Sequence, residues 1–457
     1  MLKKSGSSID MTTGDPWKSI LWFTLPMLLG NIAQQMYNTV DSIVVGRYVG
    51  DDAIAAVGNV TPILNLLLVL FIGISAGANI MTAQYFGARN REALSRTIGT
   101  SITVTVLACI IIIAVATPLI KPILLLLNTP GDLSAWCYDY LFISLIGIVG
   151  MAFYNILSGI IRGMGDSVSA LIFLLVATVI NIVLDVYFVA VLDMEVAGVA
   201  LATIIAQFVS AVLCLIKLAR MKEHFDFSLK YLIPEFSYVK TIVKLGLPSG
   251  LTQAIFSSAM MIVQSLTNQF GKQFIAANVV IMRVDGFAMM PNFSFGMALT
   301  TYAGQNVGAG LHERVAKGAK QGTLMAVGFS AVITCIILLF GKRLMGVFTE
   351  TTDLVNMSYY LMKILAIGYI AMAVTQSLSG IMRGAGDTVT PMWISLITTV
   401  ALRVPVAYGI SYLTRTPELP YGRYECIQIS LLASWVIGAV LTVLFYRMGK
   451  WRNKAIE

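Results

Sequence analysis

The chain has 457 residues, of which 57% are hydrophobic and only 12% charged, and its mean hydropathy is +0.82. A soluble globular domain carries about a quarter charged residues, so lipid must be the solvent for most of this apolar surface, which excludes a water-soluble enzyme or binding module. The net charge of +8 fits a membrane topology signal and anionic lipid better than nucleic acid.

Taken in order, the apolar stretches predict an all-α membrane protein with twelve transmembrane helices near 20–46, 53–86, 94–127, 133–161, 167–192, 195–219, 239–270, 273–306, 312–341, 352–381, 388–414 and 425–447. Each reaches the roughly 20 residues that a hydrocarbon core requires, and none shows the strict alternation of a β-barrel strand. The first stretch is too long for a cleaved signal peptide and contains Pro26 and Asp41. Five scattered cysteines, Cys109, Cys137, Cys214, Cys335 and Cys426, form no C-x-x-C pair and read as small packing residues.

Orientation follows from Lys and Arg. With the N-terminus inside, inner segments hold 21 of the 31 basic residues, beginning with Lys3, Lys4 and Lys18 and ending with Arg447, Lys450, Arg452 and Lys454, whereas outer segments hold 7. Arg283, Lys363 and Arg403 fall within spans. The expectation is a multi-pass protein of the cell membrane with both termini cytoplasmic.

The chain repeats itself at an offset of 221 residues. Ser158–Ser169, with Arg162-Gly-Met-Gly-Asp166 inside, matches Ser379–Thr390, with Arg383-Gly-Ala-Gly-Asp387 inside. The same offset pairs Ile54-Ala-Ala with Ile275-Ala-Ala, Gln84 with Gln305, and Gly87-Ala88 with Gly308-Ala309; Leu25-Pro26 pairs with Leu247-Pro248 one residue further on. Six spans precede each return to the start, so the halves are parallel repeats. The expected organisation is an N-terminal six-helix lobe over 1–222, a cytoplasmic linker over 223–240 and a C-terminal six-helix lobe over 241–457. By analogy with transporters of repeated design, a substrate site between the lobes and alternating access follow.

These anchors resemble the multidrug and toxic compound extrusion (MATE) transporters: Pro26 and Asp41 in the first span, Gln84…Gly87-Ala88, Gln305-Asn306…Gly308-Ala309-Gly310, and both Arg-Gly-x-Gly-Asp turns. The resemblance runs along essentially the whole chain. It implies an antiporter that couples H+ or Na+ entry to export of organic cations and drugs. Related folds in the same superfamily include flippases for lipids and lipid-linked oligosaccharides, which is the alternative reading. The first half is most similar to the DinF-like branch, which implies functional roles for Asp41, Asn181, Asp185 and Thr203. No acid lies well inside the seventh or tenth span, where another branch of the family carries its functional acids.

Depth gives those positions a physical reading. An acid in the bilayer costs about 2.5–3.5 kcal/mol on insertion scales and therefore needs a reason to be there. Asp41 lies six residues before Arg47, about 9 Å deep. Asp185 lies eight residues before Asp193, and Thr203 eight after Glu195, so both lie about 12 Å deep. Asn181 and Asp185 share a helix face at i, i+4. Two carboxylates, an amide and a hydroxyl then meet at one level, a hard-oxygen set suited to Na+, or an acid pair that shares a proton. Gln34 and Tyr37 share a face with Asp41 and, with Asn155, are candidates for the substrate wall. Pro26 removes a backbone hydrogen bond and offers a bend. Asp166 and Asp387, after glycine turns, read as N-caps. Arg283, Asp285 and Arg403 break the symmetry of the halves, with no role assigned by spacing.

An enzyme is not expected. The two histidines, His224 and His312, fall in loops, and no G-x-x-x-x-G-K-[ST] occurs. Beyond the coupling ion no cofactor is called for. The expected partners are small organic cations and membrane lipids, not nucleic acid, with the monomer as the working unit.

Overall fold

In the computed structural model of the protein, residues 8–126, 129, 131–226 and 228–456 are described; Lys3, Lys4 and position 127 of the third expected span lie outside them. The helices are α1 (Pro16–Val44), α2 (Asp51–Gly87), α3 (Arg91–Leu126), α4 (Gly131–Ile146), α5 (Ile148–Gly163), α6 (Ser167–Val186), α7 (Glu195–Arg220), α8 (Phe236–Thr267), α9 (Lys272–Gly308), α10 (His312–Gly346), α11 (Thr352–Ala366), α12 (Gly368–Gly384), α13 (Val389–Leu396), α14 (Arg403–Leu413) and α15 (Cys426–Met448). Nine helical stretches among the described residues are long and apolar enough to cross a membrane. Two more spans are bent pairs, α4 with α5 and α11 with α12, each kinked by 46°. With α1, 29 residues long, this makes the twelve expected. Leucines such as Leu126 and Leu339, 81% and 76% exposed, face outward, which suits lipid and would not suit water.

The chain divides into two compact units. The first comprises Met1–Asp10 and Leu25–Gly250, the second Met11–Thr24 and Leu251–Glu457. Two helices therefore change unit along their length: α1 just before Pro26 and α8 just after Pro248.

In the first unit, α2 and α5 approach closely because side chains are missing where they meet. Gly159 faces Ser75, and a Cβ on Gly163 would stand 2.9 Å from the Asn79 carbonyl oxygen. The freed surface is tied by hydrogen bonds: Ser75 Oγ donates to the Asn155 carbonyl at 2.7 Å, and Asn79 Nδ2 to the Gly159 carbonyl at 2.9 Å. The start of α8 crosses α2 backbone to backbone, Gly246 on Gly73. The segment before α8 is strapped to α3. Arg91 donates to Asp226 Oδ1 and the Lys222 carbonyl, both at 2.7 Å, and to the Glu223 carbonyl at 3.1 Å; Thr103 Oγ1 donates to the Leu232 carbonyl at 2.5 Å.

The second unit repeats the glycine packing. Gly380 lies against Gly296, and a Cβ on Gly384 would collide with the Thr300 carbonyl. Its strap is Met11–Gly14. Met11 is fully buried; its N–H donates to Gln305 Oε1 at 3.0 Å and its carbonyl accepts from Asn306 Nδ2 at 3.1 Å. Arg314 donates to the carbonyls of Gly14 at 2.7 Å, Thr13 at 2.6 Å and Met11 at 3.1 Å. The two duplicated turns use Gly165 (φ +88°) and Gly386 (φ +98°) in the left-handed region, which favours a residue without Cβ. The acid that follows each turn caps the next helix. Asp166 accepts from Ser169 N at 2.9 Å, and Asp387 from Thr390 N at 3.1 Å.

Candidate functional site

Three helices of the first unit bring Asp41, Asn181, Asp185 and Thr203 together. α1 carries Tyr37 and Asp41 one turn apart, with Tyr37 buried. α6 carries Asn181 and Asp185 on one face, both fully buried, and α7 supplies Thr203. Asn181 Nδ2 reaches Thr203 Oγ1 at 3.5 Å. The Asp41 and Asp185 carboxyls interact with each other and with Asn181, and the Tyr37 hydroxyl is turned to Thr203.

Two of these helices change geometry just beyond the acids. A π-helical turn, Val45–Val49, follows Asp41, and another, Tyr187–Val191, follows Asp185. Such turns insert a residue and re-aim the preceding face, and they are frequent at functional sites. Around them Val44, Val45, Val189, Val196 and Val199 close an apolar cluster. This dry surround strengthens every charge interaction inside it.

The cluster is unsatisfied. Both oxygens of Asp185, Asp41 Oδ1 and Asn181 Oδ1 have no hydrogen-bond donor. Buried acceptors left unpaired are costly, about 1–3 kcal/mol each and more when charged. Two facing carboxyls also repel unless they share a proton or hold a cation between them. The available ligand oxygens belong to two carboxyls, an amide carbonyl and a hydroxyl. Among the described residues no group of three or more His, Cys, Asp or Glu could hold a metal ion. The set therefore suits a proton or a hard monovalent cation better than a transition metal.

The other sequence candidates divide. Gln34 is half-buried one turn before Tyr37 on α1, and Pro26 lies inside α1 without interrupting it. Asn155 does not reach the acids by any hydrogen bond shown: its amide donates to Met151 within α5 at 2.8 Å. Sequence reasoning missed Tyr140 of α4, whose ring lies near both Asp41 and Asp185; the available signal was a phenol within the fourth span. It also left unassembled a trio in the second unit. Tyr369 Oη donates to Asp285 Oδ1 at 2.8 Å, with Arg403 close enough to feel the Asp285 charge. Arg283 is exposed and stands apart.

The MatE family model matches this chain twice, over residues 26–187 and 248–409, one match in each half. Over 447 residues the chain is 27% identical to the probable multidrug resistance protein YoeA of Bacillus subtilis (strain 168), covering 96% of this chain and 95% of that one. It is 26% identical to the probable multidrug resistance protein NorM of Thermotoga maritima, covering 96% and 94%. Among solved structures, the outward-facing conformation of a multidrug resistance MATE family transporter of the MOP superfamily superposes with a TM-score of 0.89 at 23% identity, covering 98% of each chain.

Proposed function

The chain belongs to the MatE family of membrane transporters and is not an enzyme, and from that premise we propose that it is a cation-coupled antiporter that exports organic cations in exchange for H+ or Na+. The relatives' names, as multidrug resistance proteins, support the cargo class. The observation that carries the coupling is the pair of facing carboxyls, Asp41 and Asp185, with three of their oxygens lacking a donor.

In this mechanism the charged Asp41 attracts a cationic drug, with Tyr37, Gln34 and Asn155 as candidates for its wall. A proton or Na+ arriving at Asp41, Asn181, Asp185 and Thr203 neutralises that charge and satisfies the orphan oxygens. Drug and ion then compete for one charge, so the exchange is obligatory. Pro26 has no N–H for the Trp22 carbonyl, which lets α1 bend at the place where it changes unit. With both termini cytoplasmic, as the basic residues argue, the membrane potential drives the ion inward with about 2.3 kcal/mol per charge per 100 mV. A flippase for an anionic lipid head group calls for a cationic cavity, and the paired carboxyls favour the cation exchanger.

The test is ethidium efflux from proteoliposomes under separately imposed Na+ and pH gradients. Asp41→Asn and Asp185→Asn should remain folded and lose coupled efflux by about 100-fold, the effect expected when one interaction of roughly 2.7 kcal/mol is removed. If both variants transport like the wild type, the first-unit site is wrong.

A further inference from the structure

We propose that Arg403 is a binding site for a small monovalent anion: chloride, or the carboxylate of a zwitterionic cargo. The proposal concerns the second unit and does not depend on where the coupling cation binds.

Arg403 opens α14 immediately after a π-helical turn, Ile397–Leu402. Its residue surface is only 4% exposed, and Nε and Nη1 have no acceptor. A guanidinium stays charged in proteins and can only donate, so this position carries a buried positive charge with open donors. The neighbouring acid does not fill the gap. Asp285 spends Oδ1 on the Tyr369 hydroxyl at 2.8 Å, and no ion pair joins it to Arg403 among the described residues, although its charge is felt there. Tyr369 is itself fixed. Its ring lies 5.6 Å from that of Trp435, and its carbonyl accepts from Asn292 Nδ2 at 3.2 Å. The phenol thus holds the carboxylate in place, and the guanidinium donors remain for another acceptor.

The chemistry limits what that acceptor is. A single guanidinium cannot balance a diphosphate or a divalent anion. A single negative charge with lone pairs for two N–H groups fits. An incoming anion is attracted by the buried Arg403 charge and repelled by the neighbouring Asp285 charge.

This yields a pair of opposite expectations. Purified protein in sulfate buffer at fixed Na+ is titrated with chloride, and Tm is followed, since a ligand that binds only the folded state raises it saturably. Arg403→Gln should weaken the chloride midpoint at least about ten-fold, the loss of one charge-assisted contact. Asp285→Asn should tighten it by about five-fold, because a like charge is removed; a purely structural role for the trio predicts no tightening. If Arg403→Gln does not fold, the Asp285→Asn result decides alone. A zwitterionic amphiphile and its methyl ester distinguish the sources. If the zwitterion competes with chloride and the ester does not, the carboxylate belongs to the cargo; if neither competes, chloride itself is the ligand. A wild type with no saturable response to chloride or to the zwitterion overturns the proposal, as does an Asp285→Asn variant whose chloride midpoint is unchanged or weaker.

Discussion

The two halves keep one scaffold and carry two different polar sites. Contact by contact, the packing repeats at the offset of 221: Gly159 on Ser75 becomes Gly380 on Gly296, and Gly163 beside Asn79 and Thr82 becomes Gly384 beside Thr300 and Ala303. Both bent spans kink by the same 46°. The buried acids of the turns, Asp166 and Asp387, repeat as well, but the charged groups within the spans do not. Asn181 and Asp185 correspond to Leu402 and Val406, and Asp41 to Ile262 or Val263, depending on where the one-residue slip falls. Conversely, Asp285, Tyr369 and Arg403 correspond to Leu64, Ile148 and Ile182. Backbone-to-backbone contact tolerates no added atom and so stays fixed in both copies. A polar side chain in a span is free to change as long as its partners change with it, and each half has assembled its own set.

The largest effect expected from breaking this comparison lies at the shared glycines. Gly163→Val and Gly384→Val should both abolish folded yield, because the helices cannot separate without losing the hydrogen bonds beside them. The milder alanines should rank. Gly384→Ala meets a backbone carbonyl and Gly163→Ala a slightly looser site, so the second-half variant should be less stable, each losing about 1–3 kcal/mol as overpacking does. Thermal unfolding followed by size-exclusion chromatography measures this. A tolerated Gly384→Val beside a lethal Gly163→Val would show that the halves do not rely on the same packing.

How much of this was legible in the sequence follows from the range of each interaction. Twelve spans were visible because each needs only its own run of apolar residues, and the caps at Asp166 and Asp387 because their partners lie three residues on. The first-unit acids could be placed at one depth by counting along helices. The kinks at Gly147 and Ile367 were not visible. Both lie in unbroken apolar runs, and the space Gly147 must leave is for Ile204, 57 positions away. Asp285 could not be paired either, since Tyr369 is 84 residues distant and no periodicity connects them. Arg314 registered only as a positive charge, because its acceptors are backbone carbonyls, which every residue has.

A smaller effect separates the two straps. Arg314 is partly buried and holds three carbonyls of the Met11–Gly14 strap, whereas Arg91 is exposed and divides its bonds between Asp226 and two carbonyls. Exposure weakens such bonds through solvent screening. Arg314→Ala should therefore open its strap by about 1–2 kcal/mol, and Arg91→Ala should open the 222–226 segment by less. Hydrogen exchange of the amides in each segment gives both numbers, and equal protection losses would mean that burial does not set the difference.

The smallest effect is the acid dependence of the straps. The Lys18 ammonium beside Asp15 holds that carboxyl below its usual value, with Lys317 and Arg314 adding to the pull, and the Arg91 guanidinium does the same to Asp226. A carboxyl whose pKa is lower in the folded state binds fewer protons there than when unfolded. The stabilisation it contributes is complete above the unfolded value of about 3.9 and fades as pH falls through the folded value. Both straps should thus be indifferent to pH from 8 down to about 5 and loosen only below about 4. Both acids are exposed, so about 0.5 M salt should erase most of the difference. Asp15→Asn and Asp226→Asn should each remove the acid step from their own strap and leave the other's in place. Limited proteolysis of the 11–14 and 222–226 segments across this pH range, with and without salt, provides the reading. A strap that loosens between pH 5 and 8 would show that neither acid sets its pH dependence.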